Sequence, residues 1–464
     1  MLDPDHKFTC SVDRVGCSGV FPVRAAQGSQ VAVLRSGEDA FRARIQSLRQ
    51  ARRSIRIQAL IFRADDSGLL IAELLKQKRK AGLDVRVIVD AMSNLAWQTQ
   101  WMYFDLKQHG IEVEGYEALY LQWLTAEVKP TDPLRPNKRF HEKLWIIDSE
   151  DPERGMAIVG GLNIANEYFR LDATPINRWT DQDVVLRGAV VADATAAFER
   201  NYSWFKQVKG KLCPLNNPDN AWRLARGVLD RIRGVQTPSW RDPTVAATIQ
   251  RVLSQPLSLE YRPTRVRFLQ SRPRVKESYI EQSYLNLIRH ARRQVLIANA
   301  YFVPSHHVVL ALADAARRGV QVTVITNSPE TNDIQAVAVV SRALYRDLLQ
   351  VNRHQRAGAA EIKLFEWRGP GVGEGTLHAK FAVFDAATAV VGSFNLDPRS
   401  ARLNSESAVA LAGDAAARLA RLFHDHYLPL ARRVGWDEAQ RYSRPPRMAK
   451  RFELLFNLPL KDWL

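Results

Sequence analysis

The feature that most narrows the folds open to this chain of 464 residues is that it is written twice. His141, Lys143 and Asp148 stand as H-x-K-x4-D, and His378, Lys380 and Asp385 repeat that spacing 237 residues later. The likeness runs well beyond the motif. Ala51 to Phe62 (ARRSIRIQALIF) matches Ala291 to Phe302 (ARRQVLIANAYF) at an offset of 240, and Gly82 in AGLDVRVIVD matches Gly319 in RRGVQVTVIT at 237. Self-similarity over this distance predicts two copies of one unit, each of roughly 200 residues, with one histidine apiece.

A strand sends alternate side chains to one face, so the histidine and lysine of each motif point the same way, while Phe381, Val383 and Phe384 supply core contacts. An imidazole beside an ammonium suits an anion. Gly392, Ser393 and Asn395 follow the second motif, and Gly160, Gly161 and Asn163 follow the first. The apolar run Ala389 to Gly392 reads as the return strand of a hairpin that brings Asn395 back beside His378. In the first copy eleven residues, Ser149 to Val159, stand where the second has six, which reads as a longer loop pointing away from the site.

Taken in order, Val31 to Leu34 predicts a strand, and Ser36-Gly-Glu-Asp caps a helix to about Arg53 with acids in its first turn. Ser54 to Phe62 alternates as a strand, a helix runs from Asp65 through Lys80, Gly82 ends it, and Val85 to Val89 is a buried strand. The second copy gives strand Val266 to Gln270, helix Lys276 to Arg293, strand Val295 to Phe302, helix His306 to Arg318 and strand Val322 to Thr326. A last helix is predicted over about Ala415 to Arg433. Strand, helix, strand with right-handed crossovers implies an α/β fold whose mixed, parallel-rich sheets are covered by helices. The boundaries that follow are a leader at 1–30, a first lobe at 31–205, a Pro-rich connection at 206–265, a second lobe at 266–433 and a basic amphipathic tail at 434–464.

The net charge of +17 predicts anionic partners, either a membrane leaflet or nucleic acid. Cys10, Cys17 and Cys213 form no metal-ligand pattern and read as free thiols in a reducing compartment. The N-terminus lacks the apolar core of a signal peptide, and no window approaches the roughly 18 apolar residues of a spanning helix. A cytoplasmic protein, peripheral at the inner membrane surface if it works on lipid, is the expectation. The aromatics Trp97, Trp101, Tyr103, Phe104, Tyr116, Tyr120 and Trp123 precede the first motif; core packing is their main reading, and a wall for an acyl-chain groove the alternative. The tail from Arg441 mixes basic residues with Phe452, Leu454, Phe456 and Trp463, which suits a membrane interface or docking on the protein's own core.

Two H-x-K-x4-D motifs followed by G-G-L-N and G-S-F-N resemble the phospholipase D superfamily. The surroundings resemble its bacterial cardiolipin synthase branch: LIFRADDSG at Leu60 to Gly68, GGLNIANEY at Gly160 to Tyr168, RWTDQDV at Arg178 to Val184, AYFVP at Ala300 to Pro304 and GSFNLDPRSARLNSE at Gly392 to Glu406. The similarity spans about residues 30 to 430. It implies two pseudo-symmetric phospholipase D-type α-β-α lobes with one active site at their interface. Many members of that branch begin with membrane helices, which this sequence lacks.

A phosphodiester repels nucleophiles, so an enzyme must neutralise its oxygens and activate both sides of an in-line displacement. Two facing histidines meet both needs: one attacks phosphorus to form a phosphohistidine, and the other protonates the departing alkoxide and then deprotonates the incoming alcohol or water. The resemblance implies that His141 is the nucleophile and His378 the acid and base, and that the acids cross over, Glu406 to His141 and Asp181 to His378. Lys143, Lys380, Asn163, Asn395 and Ser393 are assigned to the phosphate. Asp148 and Asp385 complete the catalytic motifs, although at the far end of the strand they suit a turn-stabilising role. No cofactor or metal is expected. The activity implied is phosphatidyl transfer to phosphatidylglycerol, giving cardiolipin, or phospholipase D hydrolysis when water replaces that alcohol. The alternative is a nuclease of the same superfamily, whose DNA or RNA substrate the charge would suit.

Overall fold

The computed structural model describes residues 21–91, 93–116, 139–211, 242–354, 358–371 and 375–443. The expectations for residues 1–20, the three cysteines, Tyr120, Trp123, half of the Pro-rich connection (212–241) and the tail beyond 443 lie outside the described residues.

The first lobe opens with β1 (Ser29–Val33) and α1 (Gly37–Gln50), whose cap Ser36 accepts from the Asp39 amide while Glu38 and Asp39 complement the helix dipole. Next come β2 (Ser54–Ala59), α2 (Asp66–Lys80), β3 (Asp84–Asp90), α3 (Trp97–Gln108) and β4 (Glu112–Tyr116). The motif strand β5 (Leu144–Ile147), then β6 (Met156–Gly160), β7 (Asp183–Gly188) and α4 (Val190–Lys211) follow. Beyond them α5 (Pro243–Ser254) packs on α1 and α2, and the short β8 (Arg262–Pro263) pairs with β1.

The second lobe repeats this order. It runs β9 (Arg265–Ser271), α6 (Tyr279–His290), β10 (Gln294–Asn299), α7 (His306–Arg317), β11 (Gln321–Asn327), α8 (Gln335–Gln350) and β12 (Ile362–Trp367). Then come β13 (Lys380–Phe384), β14 (Thr388–Gly392), the single-turn α9 (Pro398–Arg402), β15 (Glu406–Ala412), α10 (Asp414–Leu422), β16 (Ala431–Arg433) and α11 (Trp436–Tyr442). Gly82 and Gly319, at φ +93° and +88°, end α2 and α7 in the left-handed geometry that a side chain resists.

Each lobe holds one eight-stranded mixed sheet, ordered β4-β3-β2-β5-β6-β7-β1-β8 and β16-β12-β11-β10-β13-β14-β15-β9. The sheets are not parallel-rich. Among the described residues the parallel ladders are β2–β3–β4 and β10–β11–β12, and the other ladders are antiparallel. Helical crossovers link neighbouring strands only within those trios, since α1 and α6 carry the chain from β1 and β9 across the sheet to β2 and β10, whereas the motif strands return through hairpins and pair antiparallel. The predicted last helix changes character and ends early: α10 stops at Leu422, a π-helical turn continues over Phe423–Tyr427, a 3-10 turn carries Pro429, and residues 431–433 join β12 as an edge strand.

Two apolar clusters fill the individual lobes, and a third crosses between them, joining Leu144, Val184 and Phe198 of the first lobe to Phe381, Val391 and Phe423 of the second. The lobes exchange helices across this seam, since α4 packs on β9 and α10 on β1. A continuous buried core there fixes the relative position of the two motifs.

Candidate active site

His141 lies at the entrance of β5 and His378 at the entrance of β13. Because β5 runs antiparallel to β2, and β13 to β10, both histidines sit at the sheet edge where β2, β3, β10 and β11 end. The ends of β3 and β11 hold the preceding residues in place. Asp90 Oδ2 accepts from the Phe140 amide at 2.9 Å, while Asn327 accepts from the Leu377 amide at 3.0 Å and donates to its carbonyl at 2.7 Å.

The two motifs are then tied to the opposite lobes. The His141 amide donates to the Ser405 carbonyl at 3.0 Å, and the His378 amide to the Thr180 carbonyl at 2.7 Å; Ser405 and Thr180 return the bond to Arg139 and Thr376. Each strap ends beside a carboxylate. His141 Nδ1 lies 2.8 Å from Glu406 Oε2, and His378 Nδ1 lies 2.6 Å from Asp181 Oδ2. A carboxylate at Nδ1 fixes the tautomer, leaving Nε2 as the reactive nitrogen. Gly161 makes room for this: a Cβ there would come within 2.2 Å of Asp181 Oδ1.

The two carboxylates are not equivalent. Besides His141, Glu406 accepts from the hydroxyls of Ser393 and Ser400 and from the Asn404 amide, whereas Asp181 has its own neighbour's backbone amide, Gln182, at 2.7 Å. Burial pushes both up, but attraction to His141 and the extra donors leave Glu406 below its usual value, while Asp181 rises to about 7. Burial pushes His141 down to about 4 and His378 well below its ordinary value. Each imidazole is further depressed by the lysine of its own motif and, to a lesser extent, by that of the other lobe.

Lys143 and Lys380 are buried, and each ammonium donates to the carbonyl of its own motif histidine. Burial lowers Lys143 to about 7 and Lys380 to about 8. Two buried amines, each bonded to the backbone of a motif histidine, suit an oxyanion whose charge would restore their protons. Asn163 Oδ1 accepts from the Ile61 amide at 3.1 Å, leaving its buried Nδ2 without an acceptor; Asn395 likewise has a buried Oδ1 without a partner, and a half-turn of that amide would present a donor. Orphaned amide atoms of this kind fit oxygens of a bound phosphodiester.

Asp148 and Asp385 are placed elsewhere. Each sits at the far end of its motif strand with positive φ, and each carboxylate gathers three consecutive backbone amides: Arg52, Arg53 and Ser54 for Asp148, and Arg292, Arg293 and Gln294 for Asp385. They anchor the start of the neighbouring strand, and the geometry gives them no place among the reacting groups. The longer first loop, with its exposed tip at 152–154, lies at this same distant end.

Several neighbours of the histidines escaped sequence reasoning. His378 is stacked on Trp179 at 5.4 Å and approached edge-on by Tyr168 at 5.0 Å and Tyr301 at 6.5 Å, and the Tyr301 hydroxyl donates to Asp333 at 2.7 Å. Tyr168, Trp179 and Tyr301 lie inside stretches already singled out, but alternation does not reveal which ring stacks on which. Glu142, between His141 and Lys143, points the opposite way into a buried knot of amide donors, Gln58 at 3.1 Å, Asn201 at 3.1 Å and Gln270 at 2.8 Å, and burial raises it to about 7. Among the described residues no group of three or more His, Cys, Asp or Glu is arranged to hold a metal ion, and no helix is long and apolar enough to cross a membrane.

The family model for the cardiolipin synthase PLD-like domain matches residues 45–200 and 284–427. A cardiolipin synthase of Geobacillus thermodenitrificans is 28% identical over 389 residues, which are 84% of this chain and 63% of that protein. An uncharacterized protein of Helicobacter pylori is 26% identical over 408 residues, 86% of this chain and 79% of its own length. This chain spans under two thirds of the length of the Geobacillus synthases it matches. The crystal structure of a phosphatidylserine synthase from Haemophilus influenzae superposes with a TM-score of 0.65 at 17% identity, covering 97% of this chain and 98% of that one, a likeness of fold.

Proposed function

We propose that this chain, which belongs to the cardiolipin synthase PLD-like domain family, transfers a phosphatidyl group between alcohols at the one site its lobes share. The observation that carries the reading is the crossed pair of dyads, His141 with Glu406 and His378 with Asp181, each with a buried lysine bonded to its histidine's carbonyl.

In the first half-reaction the lone pair on His141 Nε2 attacks phosphorus, the ester bond to the donor's head-group alcohol breaks, and imidazolium His378 gives its proton to the departing oxygen. In the second, His378 takes the proton of the acceptor hydroxyl, that oxygen attacks phosphorus, and the P–N bond breaks. Glu406, held ionised by its extra donors, supports the positive charge that develops on His141 in the intermediate. Repulsion from Lys380 and Lys143 opposes protonation of His378; a phosphodiester anion lying between them offsets that repulsion and lets His378 carry the proton. Lys143, Lys380, Asn163 and Asn395 hold the non-bridging oxygens as charge builds there, and Ser393 steadies Glu406.

The acceptor in this reading is phosphatidylglycerol, the product cardiolipin, and the place of work an anionic leaflet reached from the cytoplasmic side. Purified protein incubated with labelled phosphatidylglycerol liposomes should yield cardiolipin and glycerol. Phosphatidic acid alone would shift the assignment to hydrolysis. Inertness toward lipid together with cleavage of single-stranded DNA would replace it with the nuclease reading.

A further inference from the structure

Four exposed apolar side chains stand at two places that the internal repeat relates. Leu95 and Trp97, 62% and 52% exposed, open α3; Ile334 and Val339, 45% and 41% exposed, begin α8. Trp97 and Ile334 are 237 residues apart, the same offset as the two histidines. Residues 91–104 and 334–341 contain no Asp, Glu, Lys or Arg, in a chain that is 25% charged, and the second run lies between the exposed Asp333 and the half-buried Arg342. On α3 the apolar surface continues outward, with Trp97 edge-on to Trp101 and Trp101 edge-on to Phe104.

Topology puts both places beside the site. They follow β3 and β11, whose last residues, Asp90 and Asn327, hydrogen-bond the residues just before His141 and His378. One apolar lip therefore rises from each lobe, on the sheet edge where the histidines lie.

We infer that these two lips form a rim that seats in the interface of a lipid bilayer and holds the paired histidines over its head groups. The inference rests on the phosphatidyl-transfer reading for its substrate, while the rim itself stands on exposure, missing charge and position. Both lips follow strands whose ends hydrogen-bond the residues just before the histidines. A second copy of the chain seated there would close the site, whereas a bilayer would bring phosphodiesters to it. Tryptophan and aliphatic side chains at helix starts suit the head-group boundary, and a net charge of +17 draws the body toward an anionic leaflet.

The test uses the full chain, the double variant Trp97→Ser/Ile334→Ser and the single variant Leu95→Ser, each checked for an unchanged melting temperature. Co-flotation with vesicles of phosphatidylcholine and phosphatidylglycerol should fall by about 10-fold or more in the double variant. Turnover on those vesicles should fall with it, and turnover of a dihexanoyl phospholipid dissolved as monomers should stay within about 2-fold. Vesicle binding equal to the parent's in both variants overturns the inference, as does unchanged vesicle binding with loss of self-association in light scattering, which would make the rim a contact between copies. A parent that floats with vesicles yet turns over neither substrate sinks the transfer reading and leaves the rim standing.

Discussion

His141 Nδ1 lies 2.8 Å from a carboxylate oxygen of Glu406, a residue 265 positions later and in the other lobe. His378 makes the mirrored contact to Asp181 at 2.6 Å. Each lobe thus supplies one histidine and the acid that orients the other lobe's histidine, and neither holds a complete dyad. Replacing Glu406 by Gln should leave the chain folded and lower kcat by ~10²-fold or more, with KM little changed, because the imidazole loses its tautomer and the support for its developing charge. Steady-state kinetics on liposomes check this, and normal turnover in that variant would refute the role given to Glu406.

Asp148 and Asp385 should behave oppositely. Each binds three backbone amides, so Asp148→Ala leaves three donors without their carboxylate and should cost about 2–4 kcal/mol of stability. The kcat of the protein that remains folded should stay close to the parent's. Denaturant melts paired with active-site-normalised rates check this, and a ~10³-fold loss of kcat without loss of stability would put the aspartate in the chemistry.

The lysines set a proton linkage. Burial holds Lys143 at about 7 and Lys380 at about 8, so above pH 8 both are largely neutral until an anion restores their protons. Binding of sulfate, whose own charge is fixed in this range, should take up protons at pH 8.5 and weaken steadily from pH 7 to 9.5. Calorimetry in two buffers of different ionisation enthalpy reads the uptake, which Lys143→Met should reduce. Proton release on binding would contradict this linkage.

Glu142 gives a stability signature. Its pKa rises from 4.5 unfolded to about 7 folded, so its contribution is fully present below pH 4.5 and is lost as pH rises through 7. Glutamine at 142 does not titrate, so the stability of Glu142→Gln relative to the parent should rise between pH 5 and pH 8, by roughly 2–3 kcal/mol. The surrounding amides can turn to accept the new donor, because the side-chain oxygens of Gln58, Asn201 and Gln270 are buried without partners. Chemical denaturation at the two pH values checks the sign, and a falling difference would refute the assigned shift.

How legible all this was in the sequence depends on the kind of signal. The duplicated motif and the shared strands were plain, because a two-residue alternation and a fixed offset survive divergence. The crossed acids came from resemblance, since no local pattern links positions 265 residues apart. The strand-helix-strand runs suggested parallel-rich sheets, but pairing between β13, β14, β15 and β9 is set by hairpins and tertiary closure that the alternation of Ala408 or Val391 does not encode. Trp179 and Tyr168 around His378 stayed hidden for a similar reason: their role arises from where the connection between β6 and β7 meets the segment before β13.

The central claim is that the two imidazoles act on one phosphorus, with His141 as the attacking group. Rapid alkaline quench of the full chain turning over labelled phospholipid, followed by peptide mapping, tests it most directly. The account predicts a labelled adduct on His141 that accumulates in His378→Asn and is absent from His141→Asn. Label on residue 378 would reverse the two roles, and turnover with label on neither histidine would contradict the account.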